Sequence, residues 1–598
     1  MRNQSLKDFV VGRLLPQVQT PAQYVGGELG MVAKDHHEVR GRLCLAFPDA
    51  YTIGMSHHGL QVLYTLMNGR DDWACERVFT PMLDMQRLLR RHELPLFSLE
   101  SFTPLAEFDV LGFTLQYELG YTNVLTMLDL ADIPLVAEGR AEHHPLVIAG
   151  GPCVANPEPM SRFIDLFVLG DGEQSLPEVC DTWLKLRQSG GDREAMLGEM
   201  AARLPYAYVP RFYRPQPDNG RPGPARPTRP GLPGLIQPAV LADLDAMPLP
   251  TRPVVPYVEC VQDRITLEIM RGCPGRCRFC QSTTLKRPLR CRQVETILQA
   301  AMETYRNTGY NEISLLSLST SDYPHFNELT RRLQQTFRPL GVSVSVPSLR
   351  VNEQLRTLSE LLNTDRRSGL TLAPEVARDE MREQIGKRIT NDDLYEGCRR
   401  AFANGFSRVK LYFLCGLPGE REVDLDGIVE MAETISRLGK EVAGRFATVV
   451  ANVSNFVPKP HTPYQFNAMQ RRDYFHAARE CLYRQKRLRS VQLKCHDVES
   501  SLLEGMLSRG DRRTADAIES AWRCGARFDA WNEHFESRRW WQAFAEAGID
   551  AEQTLHVARP LDALFPWDHM GIHQGRQYLE SQQEQSAAHL SQECFHPE

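Results

Sequence analysis

Two long stretches of this chain alternate short apolar runs with amphipathic segments, and that alternation narrows the folds open to it more than any other feature. From about residue 40 to 185, "RLCLAFPD", "FDVLGFTL", "PLVIAGG" and "DLFVLGDGE" each have the length of a buried strand ending in a polar or glycine turn. Between them, segments such as "GLQVLYTLMN" and "PMLDMQRLLRRH" carry apolar residues at helical spacing. Strands that alternate with helices form right-handed βαβ units on a parallel sheet. Residues 1–205 are therefore expected to form a doubly wound, Rossmann-like α/β domain that takes ligands at the carboxyl ends of its strands. A second series begins near residue 264, with "ITLEIM", "EISLLSL", "VSVSVPS", "GLTLAPE", "RVKLYFLCG" and "ATVVANVSNFVP". Six strands with intervening helices predict a partial (β/α)6 barrel over residues 257–485.

The segments outside these series differ in composition. Residues 206–256 include "VPRFYRPQPDNGRPGPARPTRPGLPG", rich in Pro, Gly and Arg and without a period, and are expected to be a solvated connector. Residues 486–598 are mainly helical and Trp-rich, with a polar tail beyond 578. At 598 residues, three or four units are expected at about 150 residues each. The 69 Lys and Arg against 75 Asp and Glu leave a net charge of −6, which gives no general reason for nucleic-acid or membrane-surface binding. No apolar run approaches the roughly 20 residues of a membrane helix, and the amino-terminal segment lacks the apolar core of a signal peptide. Fifteen cysteines, mostly single, suit a reduced, cytoplasmic setting better than a disulfide framework.

Three of those cysteines are not scattered. "RGCPGRCRFCQS", residues 271–282, places Cys273, Cys277 and Cys280 at C-x3-C-x2-C spacing just after the first barrel strand. Gly272, Pro274 and Gly275 make the segment a loop, where free thiols with only a packing role would be a reactive liability. A structural zinc needs four closed ligands, and no second cysteine pair stands nearby in the sequence. A redox dithiol needs only the C-x-x-C pair. An iron–sulfur cluster uses all three thiolates and leaves one iron open.

This spacing, with the aromatic Phe279 before the third cysteine, resembles the radical S-adenosylmethionine (SAM) superfamily. The resemblance implies a [4Fe–4S] cluster on Cys273, Cys277 and Cys280, with SAM on the open iron. It also implies reductive cleavage to a 5′-deoxyadenosyl radical fed by a one-electron donor such as flavodoxin or ferredoxin. Phe279 stands in the aromatic place near the adenine. Ser319, with Thr320 and Asp322, replaces the family's glycine-containing segment for the methionine amino group. Ser348 and Arg350 are candidates for the carboxylate or ribose, Glu375 for the ribose hydroxyls, and Gly416 in "LCGLPGE" for close approach of the adenine. Lys459 and His461 after the sixth strand are further candidates, against a plain reading as solvated loop residues.

The amino-terminal domain is similar to a cobalamin-binding domain in layout and in "VIAGGPCVANPEP" followed by "IDLFVLGDGE". That likeness implies a macrocycle lying against Gly150, Gly151, Gly170 and Gly172. It departs from D-x-H-x-x-G in "PDAYTIG", where Tyr51 fills the His place and His57 and His58 lie further along. Two readings stay open: cobalamin held without a protein nitrogen ligand, or a fold kept without its cofactor. Gln116, Tyr117 and Glu118 are read either as turned toward the barrel mouth or as helix caps. The whole is similar to a bacterial radical SAM family with a B12-binding-like domain. The expected function is a radical SAM enzyme acting on an unidentified substrate, with methyl transfer leading if cobalamin binds. The alternatives are methylthiolation of RNA or protein, which would need an auxiliary cluster on amino-terminal cysteines such as Cys44 and Cys153, or a non-catalytic cluster- or cobalamin-binding sensor. "RGDRR" (509–513) and "RRWW" (538–541) are weighed as an RNA grip against a lid with Trp522, Trp531, Trp540 and Trp541 in its core.

Overall fold

The computed structural model describes residues 4–218, 220–345 and 369–590. Five parallel strands build the first sheet: β1 (Gly41–Phe47), β2 (Trp73–Phe79), β3 (Val110–Thr114), β4 (Leu146–Gly150) and β5 (Leu166–Val168). An antiparallel β6 (Ala207–Tyr208) closes the order β2-β1-β3-β4-β5-β6. Apart from Arg42, every residue of β1 and β2 is buried, the pattern of strands covered on both faces. Helices His58–Asn68 and Gly172–Gln188 pack together, as do Leu83–Arg91 and Tyr121–Leu130, in keeping with a doubly wound domain. The chain leaves β1 toward β2 on one side and β3 on the other, so the topological switch lies between β1 and β3.

The connector departs from expectation. Besides β6 it forms a hairpin, β7 (Tyr213–Pro215) with β8 (Ala225–Pro227), and buries Phe212, Ile236, Leu241 and Leu244. Ala239 bridges Gly170 in parallel, with its N–H donating to Leu169 O at 2.8 Å and its carbonyl accepting from Asp171 N at 2.8 Å. The segment is a strap laid over the strand ends, exposed mainly where Pro and Arg crowd it.

The barrel strands are β9 (Ile265–Glu268), β12 (Glu312–Leu316), β13 (Ser343–Ser345), β14 (Leu370–Glu375), β15 (Arg408–Cys415) and β16 (Thr448–Asn455). A seventh parallel strand, β17 (Val491–Cys495), lies beyond the expected boundary at 485. All pairings within β9-β12-β13 and within β14-β15-β16-β17 are parallel and follow chain order. Between β9 and β12, the antiparallel pair β10 (Met270–Arg271) and β11 (Arg290–Cys291) ties the base of the cysteine loop.

The carboxyl-terminal helices Val498–Ser508 and Thr514–Arg523 pack on the amino-terminal domain rather than only over the barrel. Trp522 Nε1 donates to Thr126 at 3.1 Å, Trp531 Nε1 to Asp49 at 2.8 Å, and Trp540 Nε1 to Asp529 at 2.9 Å. One contiguous set of buried side chains runs from Leu6 to Met570 through all three regions. Among the described residues no helix is long and apolar enough to cross a membrane.

Candidate cofactor site between the two domains

The cysteine loop is held on three sides. Gly272 at φ +94° carries no Cβ because one would sit 2.7 Å from Lys286 O. Arg278 N–H donates to Ile385 O at 2.9 Å and its guanidinium to Gln384 O at 2.5 Å, while Tyr464 N–H donates to Arg278 O at 3.3 Å. Gly386 at φ +72° lies against Arg276 O. Phe279 packs with Val376, Ile385, Leu417, Phe456 and Tyr464, which follow the carboxyl ends of β14, β15 and β16. Cys273 and Cys277 are buried and Cys280 is partly open. Burial pushes the Cys280 thiol up, against the backbone N–H groups of Thr283 and Ser282, and Glu375 and Cys273 add to the rise. Among the described residues no three Cys, His, Asp or Glu side chains converge closely enough to hold a single metal ion. A cubane asks for a different spacing, since each thiolate binds its own iron.

The other predicted barrel residues are placed unevenly. Glu375, at φ +67°, accepts from Lys387 Nζ at 2.9 Å, a partner that the sequence reading did not name. Ser319 is buried and its hydroxyl donates to Asp322 within the turn after β12. Gly416 needs its φ of +85° for internal reasons: a Cβ would meet Phe475 at 2.6 Å, and its N–H donates to Glu420 Oε2 at 2.8 Å. Ser348 and Arg350 lie outside the described residues.

Lys459 and His461 are not solvated loop residues. Lys459 Nζ is hydrogen-bonded to Glu118 at 2.9 Å and paired with Glu504 at 2.8 Å, and Tyr117 OH donates to Glu504 at 2.9 Å. This largely buried cluster joins all three regions, and it turns Tyr117 and Glu118 toward the barrel. His461 is 4% exposed and lies 3.0 Å from Ala155 O; burial holds it down at about 4. Four of the five arginines weighed as an RNA grip have partners within the fold. Arg512 is paired with Glu158, Arg513 with Asp511 and Arg539 with Glu536, and Arg509 is buried on Pro458 O and Gln465 O.

A cavity of about 550 Å³ opens between the domains. Leu45, Gly112–Thr114 and Ile148–Gly151 line it from the carboxyl ends of β1, β3 and β4, and Met270–Gly272, Ser282 and Lys286 line it from the cysteine loop. Residues Leu316–Leu318, at the end of β12, complete the barrel side. All four predicted glycines, Gly150, Gly151, Gly170 and Gly172, are on its wall. Two of them have reasons of their own. A Cβ on Gly170 (φ +102°) would meet Ala239 O at 2.2 Å, and one on Gly151 (φ +103°) would meet Leu115 O at 2.5 Å. Tyr51 points away from the cavity, its hydroxyl donating to Glu28 at 2.9 Å. His57 and His58 line the cavity instead. His57 Nδ1 accepts from Leu60 N–H at 3.1 Å, its ring is hydrogen-bonded to Gln116, and burial pushes it down to about 4. His58 Nε2 is buried without a hydrogen-bond partner among the described residues.

Charged residues close the seam beside this cavity. Arg271, two residues before Cys273, pairs with Glu268 at 2.8 Å, with Glu173 at 2.5 Å and with Asp171 at 3.1 Å. Arg290 reaches Asp171 at 2.5 Å and Leu241 O at 2.7 Å. The acids of "LGDGE" thus grip the cysteine loop and the strap, a role the sequence reading did not assign.

Residues 59–210 match the family model for radical SAM proteins, N-terminal, and residues 267–432 that for the radical SAM superfamily. The uncharacterized protein MJ0966 of Methanocaldococcus jannaschii is 27% identical over 429 residues, covering 71% of this chain and 82% of its own. Among solved structures, the radical SAM methyltransferase TsrM from Kitasatospora setae, with cobalamin and a [4Fe–4S] cluster bound, is similar at a TM-score of 0.46. Its identity is 16%, over 71% of this chain and 76% of its own. The cobalamin-dependent SAM radical enzyme OxsB with aqua-cobalamin bound is similar at a TM-score of 0.47, with 12% identity over 86% of this chain and 72% of its own. The two family matches, which together cover more than half of the chain, place it in the radical SAM superfamily.

Proposed function

We propose that this protein is a corrinoid-dependent radical SAM enzyme that transfers a methyl group to a carbon of its substrate. The observation that carries the reading is the shared cavity, whose walls are the switch-point strand ends on one side and the cysteine loop on the other. In doubly wound domains the switch point is the ligand crevice, and here that crevice ends on the two flanks of the cysteine loop, Met270–Gly272 and Ser282. The residues suit a flat, mostly neutral macrocycle. Leu45, Ile148, Val168 and Leu176 give apolar surface, and Gly150 offers backbone with the nearest atom to an added Cβ 3.9 Å away. Cys273, Cys277 and Cys280 would hold a [4Fe–4S] cluster, with Glu375 and Lys387 beside it on the barrel side. Bound in these places, the two groups would supply one-electron cleavage of SAM and a transferable methyl group. The chain's own contribution is position: Arg278 and Gly272 fix the loop, Phe279 ties it to three strand ends, and Arg271 holds it to the neighbouring domain.

The methylthiolation alternative needs thiolates in the amino-terminal domain. Cys44, Cys75, Cys153 and Cys180 are buried there, and burial pushes each thiol up, which weighs against a second cluster on them.

The test is anaerobic reconstitution with iron and sulfide, then SAM and dithionite, with 5′-deoxyadenosine measured by mass spectrometry. The corrinoid absorption of protein purified from cells supplied with cobalamin is recorded in parallel. Deoxyadenosine that vanishes in the Cys273→Ala variant, together with a stoichiometric corrinoid band, is the expected result. Protein that carries iron but retains no corrinoid would refute the cofactor reading.

A further inference from the structure

We infer that Lys286 is the anchor for the phosphodiester of the corrinoid's nucleotide arm; this rests on the corrinoid reading above. Lys286 follows the short helix Ser282–Leu285, six residues after Cys280, and lines the cavity half-buried. The cavity's three carboxylates are already taken. Glu268 and Glu173 are paired with Arg271, and Asp171 with Arg271 and Arg290. Among the described residues the Lys286 ammonium makes no ion pair or side-chain hydrogen bond. It stands near enough to the other domain to add a small favourable effect on the Asp171 carboxylate and a small unfavourable one on a His57 cation. The remaining polar groups on the wall are neutral: Gln116, Ser282 and Ser317 by chemistry, His57 and His58 because burial disfavours their cations.

The cavity therefore offers one ammonium without a direct ion-pair partner among the described residues, set among amide, hydroxyl and apolar surface. A cobalamin matches that pattern. Its side arms are neutral amides, and its one anionic group is the phosphodiester. A half-buried ammonium gains most from a partner of opposite charge, because a charge-assisted hydrogen bond replaces hydration it has partly lost.

The experiment measures binding and not turnover. Hydroxocobalamin and diaquocobinamide, which lacks the phosphodiester and the base, are titrated into the full-length protein and into Lys286→Met, with fluorescence quenching as the signal. Lys286→Gln repeats the comparison in case the methionine variant unfolds at a lower temperature, and Lys286→Arg keeps the charge. The expected result is that Lys286→Met weakens hydroxocobalamin about tenfold or more and leaves diaquocobinamide unchanged, while Lys286→Arg stays within about threefold of the unaltered protein. Equal weakening of both corrinoids, or no weakening of hydroxocobalamin, would overturn the inference while leaving the corrinoid reading intact. Binding of neither corrinoid by the unaltered protein would overturn both.

Discussion

Replacing Asp171 by alanine is expected to cost far more than the loss of one surface pair. The Asp171 carboxylate is 2.5 Å from Arg290, 3.1 Å from Arg271 and 3.0 Å from the N–H of Leu241 on the strap. All three partners are buried or nearly so, and alanine would leave the Arg290 guanidinium without its carboxylate, while Arg271 keeps Glu173 and Glu268. Removing one partner of a buried pair costs about 3–5 kcal/mol, against about 1 kcal/mol at most for an exposed one. Urea unfolding followed by tryptophan fluorescence measures the difference, provided the two proteins share a denaturant slope. The pH dependence gives a second check. Burial alone would raise the Asp171 carboxyl, but Arg271 and Arg290 outweigh it and hold the group below the ordinary range. A depressed carboxyl contributes stability that is present above its unfolded value, about 4, and is lost as pH falls through the folded value. The gap between Asp171→Ala and the parent should therefore be full at pH 7 and close under acid. A loss below about 1 kcal/mol, or a gap independent of pH, would mean that the seam is solvated and the clasp is not one.

Gly170→Ala should destabilise the fold by about 2 kcal/mol or more with or without corrinoid, because its φ of +102° and the carbonyl of Ala239 at 2.2 Å both oppose a side chain. Gly150→Ala, with nothing closer than 3.9 Å, should stay within about 1 kcal/mol in unfolding and show its effect in corrinoid binding alone; the reverse ranking would contradict the glycine assignment. Glu420 is pushed up to about 8, chiefly by burial, against hydrogen bonds from Tyr474 and the Gly416 N–H. A raised carboxyl contributes stability that is full below its unfolded value and lost as pH rises through the folded one. Glu420→Gln should therefore remove a slope of at most about 1.4 kcal/mol per pH unit between about pH 4.5 and 8. Unfolding curves of both proteins across that window that run parallel would contradict the burial argument. Alanine at Cys273, Cys277 or Cys280 should abolish the iron–sulfur absorption near 400 nm after reconstitution while leaving far-ultraviolet circular dichroism in place; retention of the full band by any one of them would remove that cysteine from the ligand set.

What the sequence made legible followed from periodicity and spacing. Strands such as "RLCLAF" and "RVKLYFLC" announce themselves because burial imposes either an unbroken apolar run or strict alternation, and both are local patterns. The three cysteines are local too. The strap was misjudged because Ile236, Leu241 and Leu244 are buried singly, at intervals that sustain no strand or helix period in a proline-rich segment. The pairs of the seam join residues 119 positions apart in the case of Asp171 and Arg290, and 341 apart for Lys459 and Glu118. No window of sequence holds both partners, so the acids of "LGDGE" looked like neighbours of a ligand glycine. Gly170 shows the same difficulty in another form. A left-handed glycine marks close approach of something, and only the fold says that the something is the chain's own strap.

The placement of Arg271 has a consequence for how the two halves of such an enzyme act together. Met270, Arg271 and Gly272 line the cavity, and the next residue is Cys273. The loop's other attachments, Arg278 on Ile385 and Gln384 and the β10–β11 pair at its base, belong to the barrel. Its link to the amino-terminal domain runs through Arg271 and Arg290 onto Asp171 and Glu173. A ligand that displaced Glu173 or Asp171 by even 1 Å would break charge-assisted bonds of 2.5–3.1 Å and release the first cysteine's flank. The cavity and the cysteine loop are therefore joined by one network of three acids and two arginines. On the barrel side the cavity wall ends at Leu316–Leu318 after β12, where the Ser317 and Thr320 hydroxyls lie 3.0 Å apart.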